Sequence, residues 1–262
     1  MDLLSWIIVF SLLGGVLSVL AASFFLLLPE TIRTSALPHF VSFAIGALLG
    51  AAFLALLPHS MAENTNLDFH EIGLTVLVGI LGFFMLEKMV LWRHCHSDHC
   101  EAHTPHEAFE KGSQHSTVSL ILLGDGLHNF VDGVLIAAAF MTDIHLGVVT
   151  SLAVATHEIP QEVGDFAILL HSGMSRMKAL VLNVLSSLST LLGALLAYYG
   201  LNELQGTIPY ILAIAASSFI YVAMADLLPG LHKKTQISET VKQLVLIISG
   251  TATIYLAHSS LH

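Results

Sequence analysis

Eight apolar runs, each about twenty residues long, restrict this chain more than any other feature of its sequence. Their approximate limits are Ser5–Leu28, Pro38–Pro58, Ile72–Trp92, Thr117–Phe140, Leu146–Leu170, Ala179–Tyr199, Ile208–Leu228 and Val241–Ser260. At a helical rise of ~1.5 Å per residue, twenty residues cross the ~30 Å hydrocarbon core of a bilayer. Lipid offers no hydrogen-bond partners, so a spanning run must satisfy its own backbone as a helix. The expected fold is therefore an all-α integral membrane protein of eight transmembrane helices, with residues 1–262 as a single unit. Composition agrees: 11% of residues are charged, against about 25% in soluble domains. Asp2 stands where a secretory leader carries basic residues, so Ser5–Leu28 reads as a retained helix.

The basic residues set an orientation. Arg33, Lys88, Arg93, Lys111, Arg176, Lys178, Lys233, Lys234 and Lys242 are all nine of them, and each lies in or beside a connection between runs 1–2, 3–4, 5–6 or 7–8. With eight spans those connections share one face, and the positive-inside rule makes that face cytosolic. Both termini are then expected outside, in a multi-pass protein of the cell (inner) membrane. The same nine residues form no patch, which argues against nucleic-acid binding. The formal charge of -10 arises largely from acids inside or beside apolar runs, so it is not read as a docking face.

Two short polar stretches interrupt runs 4 and 5: His128-Asn129-Phe130-Val131-Asp132 and His157-Glu158-Ile159-Pro160-Gln161-Glu162. Both fall about eleven residues into their runs, near the membrane midplane. An acid there costs about 2.5–3.5 kcal/mol, so Asp132, Glu158 and Glu162 together would cost roughly 8–10 kcal/mol without compensation. Neither run contains a Lys or Arg to supply it. A bound cation is the simplest remedy, and imidazole beside carboxylate suits a transition-metal dication. Residues four apart share a helical face, so His128 projects with Asp132 and His157 with Gln161, while Asn129 and Glu158 sit one position round. The connection between the two runs is short, so they are expected to pack as antiparallel neighbours. Pro160 is expected to kink or open its helix and free a backbone carbonyl.

An internal repeat is also visible. Run 2 ends Ala55-Leu56-Leu57-Pro58 and run 7 ends Asp226-Leu227-Leu228-Pro229, five helices apart and so running in opposite directions. Inverted repeats flanking a midplane site are a recurrent plan among transporters.

The stretches Gly124-Asp125-Gly126-Leu127-His128-Asn129-Phe130-Val131-Asp132-Gly133 and His157-Glu158-Ile159-Pro160-Gln161-Glu162-Val163-Gly164-Asp165-Phe166 resemble the ZIP family of divalent-metal transporters. The eight runs, the outward termini and a His-rich connection between runs 3 and 4 extend the resemblance over nearly the whole chain. It implies movement of zinc, or of iron, manganese or cadmium, into the cytosol as transported substrate, with no separate cofactor. It also implies one metal site of His128, Asp132, His157 and Gln161, an adjacent one of Asn129, Asp132, Glu158 and Gln161, and a homodimer. Many members carry His or Glu where this chain has Gln161, and a neutral amide bridges two cations poorly. Run 6 lacks the acid that some members supply there, and Gly230 replaces an acid common after the Leu-Pro of run 7.

Other signals are weaker. Arg93–Ser116 crowds His94, Cys95, His96, His99, Cys100, His103, His106 and His115 into one polar connection without the spacing of a closed zinc module. A loosely metal-binding loop and a solvated tether both fit it. His59, His171, Asp125, Asp165 and Asp226 are further candidates for a pathway. Two other activities fit parts of the pattern. An intramembrane metallohydrolase would need His at Gln161 to complete His-Glu-x-x-His, and Pro160 suits a rigid catalytic pair poorly. A metal exporter pairing His and Asp four apart would carry six spans and a cytosolic domain.

Overall fold

A computed structural model describes residues 1–62, 68–92, 114–201, 203–232 and 236–261, and it is helical almost throughout. Eight long helices follow in chain order: α1 Leu3–Phe25, α2 Glu30–Ala62, α3 Phe69–Trp92, α4 Gln114–Thr142, α5 Ile144–His171, α6 Arg176–Leu201, α7 Ile208–Leu231 and α8 Ile237–Leu261. Seven are long and apolar enough to cross a membrane; α5, with 28 residues, is long enough but too polar to qualify by composition. The chain is a multi-pass membrane protein. Readings placed on residues 93–113, including both cysteines, and on Lys233 and Lys234 lie outside the described residues.

Burial explains how α5 tolerates its polarity. It packs against α1, α2, α4, α6 and α8, and two of its three acids, Glu158 and Glu162, are fully buried in protein. Two capping arrangements fix its ends. Asp143 is the whole connection from α4, and its carboxylate accepts from the backbone N–H of His145 (2.8 Å) and Leu146 (3.1 Å). At the other end Gly173 takes φ +86°, its N–H reaches the Leu170 carbonyl, and the Met174 N–H reaches that of Leu169. This is the Schellman arrangement, and only glycine enters that left-handed region without strain.

Helix α4 is held to α6 by close backbone contact. A Cβ at Gly133 would land on the Thr190 carbonyl oxygen, and one at Gly193 on that of Phe130. Without side chains at these positions the two backbones touch, the usual route to helix association where lipid removes the hydrophobic driving force. Ser189 adds a hydroxyl bond to the Gly126 carbonyl at 2.7 Å. Helices α2 and α8 repeat the device through Gly46 and Gly250.

Two elements differ from the sequence expectation. Helix α2 starts at Glu30 and continues past Pro58 to Ala62, so Pro38 and Pro58 lie inside it. Helix α5 runs on through Pro160 as α-helix, without an unwound segment. The openings occur instead as π-helical turns, at Leu13–Leu17 in α1, Ala52–Leu56 in α2 and Val222–Leu227 in α7. The last two immediately precede the paired Leu-Pro steps, Leu57-Pro58 and Leu228-Pro229. A proline ring crowds the carbonyl four residues back, Leu54 or Ala225, and a turn widened by one residue relieves that crowding. The repeated motif thus has the same local structure in both places.

Candidate metal centre

The antiparallel pairing of α4 and α5 brings His128, Asp132, His157 and Glu158 together, each offering one donor atom within 4.8 Å of all the others. His128 Nε2 lies 3.2 Å from His157 Nε2, 3.8 Å from Asp132 Oδ2 and 3.5 Å from Glu158 Oε1. His157 Nε2 lies 3.2 Å from Asp132 Oδ2 and 3.7 Å from Glu158 Oε1. Metal–ligand bonds of 2.0–2.2 Å in a tetrahedron put neighbouring donors roughly 3.3–3.6 Å apart. The five separations scatter about that edge length.

The surroundings orient these donors. His157 Nδ1 lies 3.0 Å from the Ala153 carbonyl oxygen. A carbonyl can only accept, so Nδ1 carries the proton and Nε2 turns its lone pair to the cluster. The Phe219 ring of α7 packs edge-on against the His157 ring, with centroids 6.1 Å apart, closing that side with apolar surface. Asp132, His157 and Glu158 have side chains at most 1% exposed, whereas His128 is 20% exposed and marks the open side. Neither oxygen of Asp132 or of Glu158 has a hydrogen-bond partner among the described residues. Buried polar atoms are rarely left so, and a cation would satisfy all four.

The other candidate ligands are placed differently. Asn129 is fully buried, and its amide donates to the Asp125 backbone carbonyl (3.2 Å) and side chain (2.9 Å). Its side-chain oxygen accepts from Thr190 Oγ1 at 2.8 Å. Gln161 is half-buried beside the Asp125 carboxyl. Glu162 is fully buried but lies outside the four-donor group. His59 stacks edge-on with His258 at 5.2 Å, at the C-terminal ends of α2 and α8 and away from the cluster. His171 sits exposed at the end of α5, and Asp226 lies in the π turn of α7 with an accessible side chain.

The sequence reading missed the part played by α6. Asn183, Ser186, Ser187 and Thr190 recur at helical spacing, and Ser186 and Thr190 bond to α4 at Leu122 and Asn129. That periodic polar stripe in an otherwise apolar helix was the available signal.

A buried imidazole–carboxylate cluster in a bundle of membrane-spanning helices gives this membrane protein a candidate dication site. Comparison with known proteins makes the assignment specific. The family model described as "ZIP Zinc transporter" matches residues 92–258, and the chain belongs to that family. It is 34% identical to zinc transporter ZIP13 of Pongo abelii over 84% of this chain and 66% of the relative. It is 31% identical to the Drosophila melanogaster ZIP13 homolog over 93% of this chain and 87% of the relative. With zinc transporter ZIP4 of Rattus norvegicus, 33% identity covers 84% of this chain and 43% of that protein. The chain thus spans just under two thirds of the Pongo abelii relative's length. The family and these relatives are transporters by name, which leaves the metallohydrolase reading unsupported.

Proposed function

We propose that this protein carries a divalent transition-metal ion, zinc foremost, across the bilayer into the cytosol, binding it on the way at His128, Asp132, His157 and Glu158. The observation that carries this reading is the set of four donors from two helices at tetrahedral spacing, whose carboxylate oxygens have no other partner. Two neutral imidazoles and two carboxylates would neutralise a dication without leaving net charge in the bilayer. Such a set also accepts iron, manganese and cadmium, because no thiol or rigid cage selects among them. Asn129 and Gln161, committed to Asp125, act as supports and transient ligands in this reading rather than as a permanent second site.

Inward movement is what the family resemblance implies, and the basic residues support the orientation it uses. Arg33, Lys88, Arg176, Lys178 and Lys242 all lie near the α1–α2, α3–α4, α5–α6 and α7–α8 connections, which puts both termini outside the cell membrane. A homodimer, implied by the family resemblance, completes the proposal and is tested by cross-linking in membranes. The deciding experiment is zinc flux into proteoliposomes in which the protein faces one way. Flux only from the side of the termini supports import, flux only from the other side would make the protein an exporter, and no flux would end the transport reading.

A further inference from the structure

Away from the metal donors, a groove of about 790 Å³ runs along the first half of α2. Ile32, Ala36, Phe40 and Phe43 of α2 and Leu246 of α8 give it an apolar lining, with Thr31 and Ser35 adding hydroxyls toward the start of α2. The Phe25 ring of α1 holds Phe40 edge-on, with centroids 5.7 Å apart. Ile32 and Phe40 nevertheless stay 48% and 47% exposed, so the chain leaves this apolar lining uncovered.

The groove has the depth of one bilayer leaflet. Helix α2 has 33 residues, a rise of about 50 Å against a hydrocarbon core of ~30 Å. Its ends therefore reach headgroup level, and Glu30 and Arg33 mark the start as one that does. From Arg33 to Phe43 the rise is roughly 15 Å, half of that core.

One cation stands at the headgroup end. Arg33, Ala36, Phe40 and Phe43 follow at steps of three and four, so they share a face of α2. Arg33 Nε is buried and has no hydrogen-bond partner among the described residues. The guanidinium forms no salt bridge among them either, not even with Glu30 one turn earlier. Lys242 differs: it lies one turn before Leu246 on α8 and is tied to Glu239 at 2.8 Å. An uncompensated guanidinium thus heads an apolar groove of leaflet depth. Guanidinium grips phosphate through two parallel N–H···O bonds, and phosphate is the group a leaflet carries at that level.

We propose that this groove binds one anionic phospholipid. Its phosphate lies on Arg33 and the Thr31 and Ser35 hydroxyls, and an acyl chain follows Ile32, Ala36, Phe40 and Phe43. A zwitterionic lipid carries the same phosphate with a cation beside it, which Arg33 repels, so the site prefers a headgroup of net negative charge. It makes no use of the metal donors and does not depend on the direction of transport.

The test is lipid retention by the full-length protein, read by native mass spectrometry from a mild detergent containing dioleoyl phosphatidylglycerol or dioleoyl phosphatidylcholine. Wild type should keep one phosphatidylglycerol about fivefold more tightly than phosphatidylcholine, the factor one basic residue supplies near an anionic surface. R33Q should fall to the phosphatidylcholine level. S35W fills the groove, keeps the charge and should lose both lipids; checked for monodispersity, it guards against misfolding of R33Q. K242Q should match wild type, because Glu239 already engages that charge. Excess inorganic phosphate should leave the bound lipid in place. Equal retention of the two lipids by wild type, or wild-type retention in both R33Q and S35W, would overturn the proposal. So would a loss in K242Q as large as in R33Q, the mark of general surface charge, or displacement by inorganic phosphate, the mark of a free-anion site. A disulfide between two copies through S35C in a C95S/C100S background would overturn it too, since a second copy would then cover this face.

Discussion

Nε2 of His157 faces Oδ2 of Asp132 at 3.2 Å across two antiparallel helices joined by a single residue. The Ala153 carbonyl holds the imidazole proton on Nδ1, so this approach sets one lone pair against another. His128 Nε2 faces the same nitrogen at the same distance. Between a neutral imidazole and a carboxylate such an approach is repulsive, and a cation standing between the donors would relieve it, as the proposed site requires.

Removing a donor should therefore abolish the site without collapsing the fold. His157→Ala and Asp132→Ala are each expected to lower zinc flux more than about tenfold, since loss of mere supporting partners already costs 10–100-fold in metal affinity. Radiolabelled zinc uptake, normalised to protein in the membrane, measures this. Normal uptake in both variants would place the pathway elsewhere.

Thr190→Val tests the support from α6. The change keeps side-chain volume but removes the 2.8 Å bond to Asn129, a loss of about 1 kcal/mol. We expect a small fall in melting temperature in detergent, with a rise in the zinc concentration needed for half-maximal uptake. A shift in melting alone would mean that Asn129 has a packing role only.

Gly133→Leu should fail on steric grounds. The Cβ alone meets the Thr190 carbonyl oxygen, so α4 and α6 must separate, at a cost of about 1–3 kcal/mol or more. Reduced yield and earlier thermal aggregation are expected, whereas Gly164→Ala, which has open space, should behave as wild type. Equal stability of the two variants would refute the close α4–α6 contact.

Gln161→His places an imidazole between the central donors and Asp125. Nitrogen is the better zinc ligand, so zinc uptake should become harder to inhibit with excess manganese. The competition curve against wild type reads this out, and identical curves at normal flux would show that Gln161 never meets the ion.

Orientation is open to direct chemistry. Cys95 and Cys100 should react with an impermeant thiol reagent only after the cytosolic face is exposed. Labelling in intact cells would reverse the topology and the proposed direction.

The eight spans were legible in the sequence because lipid imposes one solution on a long apolar run, and the α4–α5 pairing because the short connection between those runs favours antiparallel neighbours. His128 with Asp132, and His157 beside Glu158, could be read from helical periodicity, since their relation lies mostly within one element. The boundaries of α2 could not. Whether Pro38 and Pro58 end a helix depends on whether a widened turn or a neighbouring helix absorbs the lost hydrogen bond, and that is a matter of packing. The opening expected at Pro160 is absent for the same reason: α5 is enclosed by five helices and stays α-helical, while the π turns form at Ala52–Leu56 and Val222–Leu227. Only the tertiary structure separated Asn129 from the four donors, because Asp125 on its own helix accepts from its amide nitrogen while Thr190 of α6 donates to its amide oxygen. It also left Glu162 outside the four-donor group. Sequence spacing fixes which face of a helix a side chain occupies, but which layer of the bundle it joins depends on the register between helices, and glycine contacts such as Gly133 against Thr190 help to set that register.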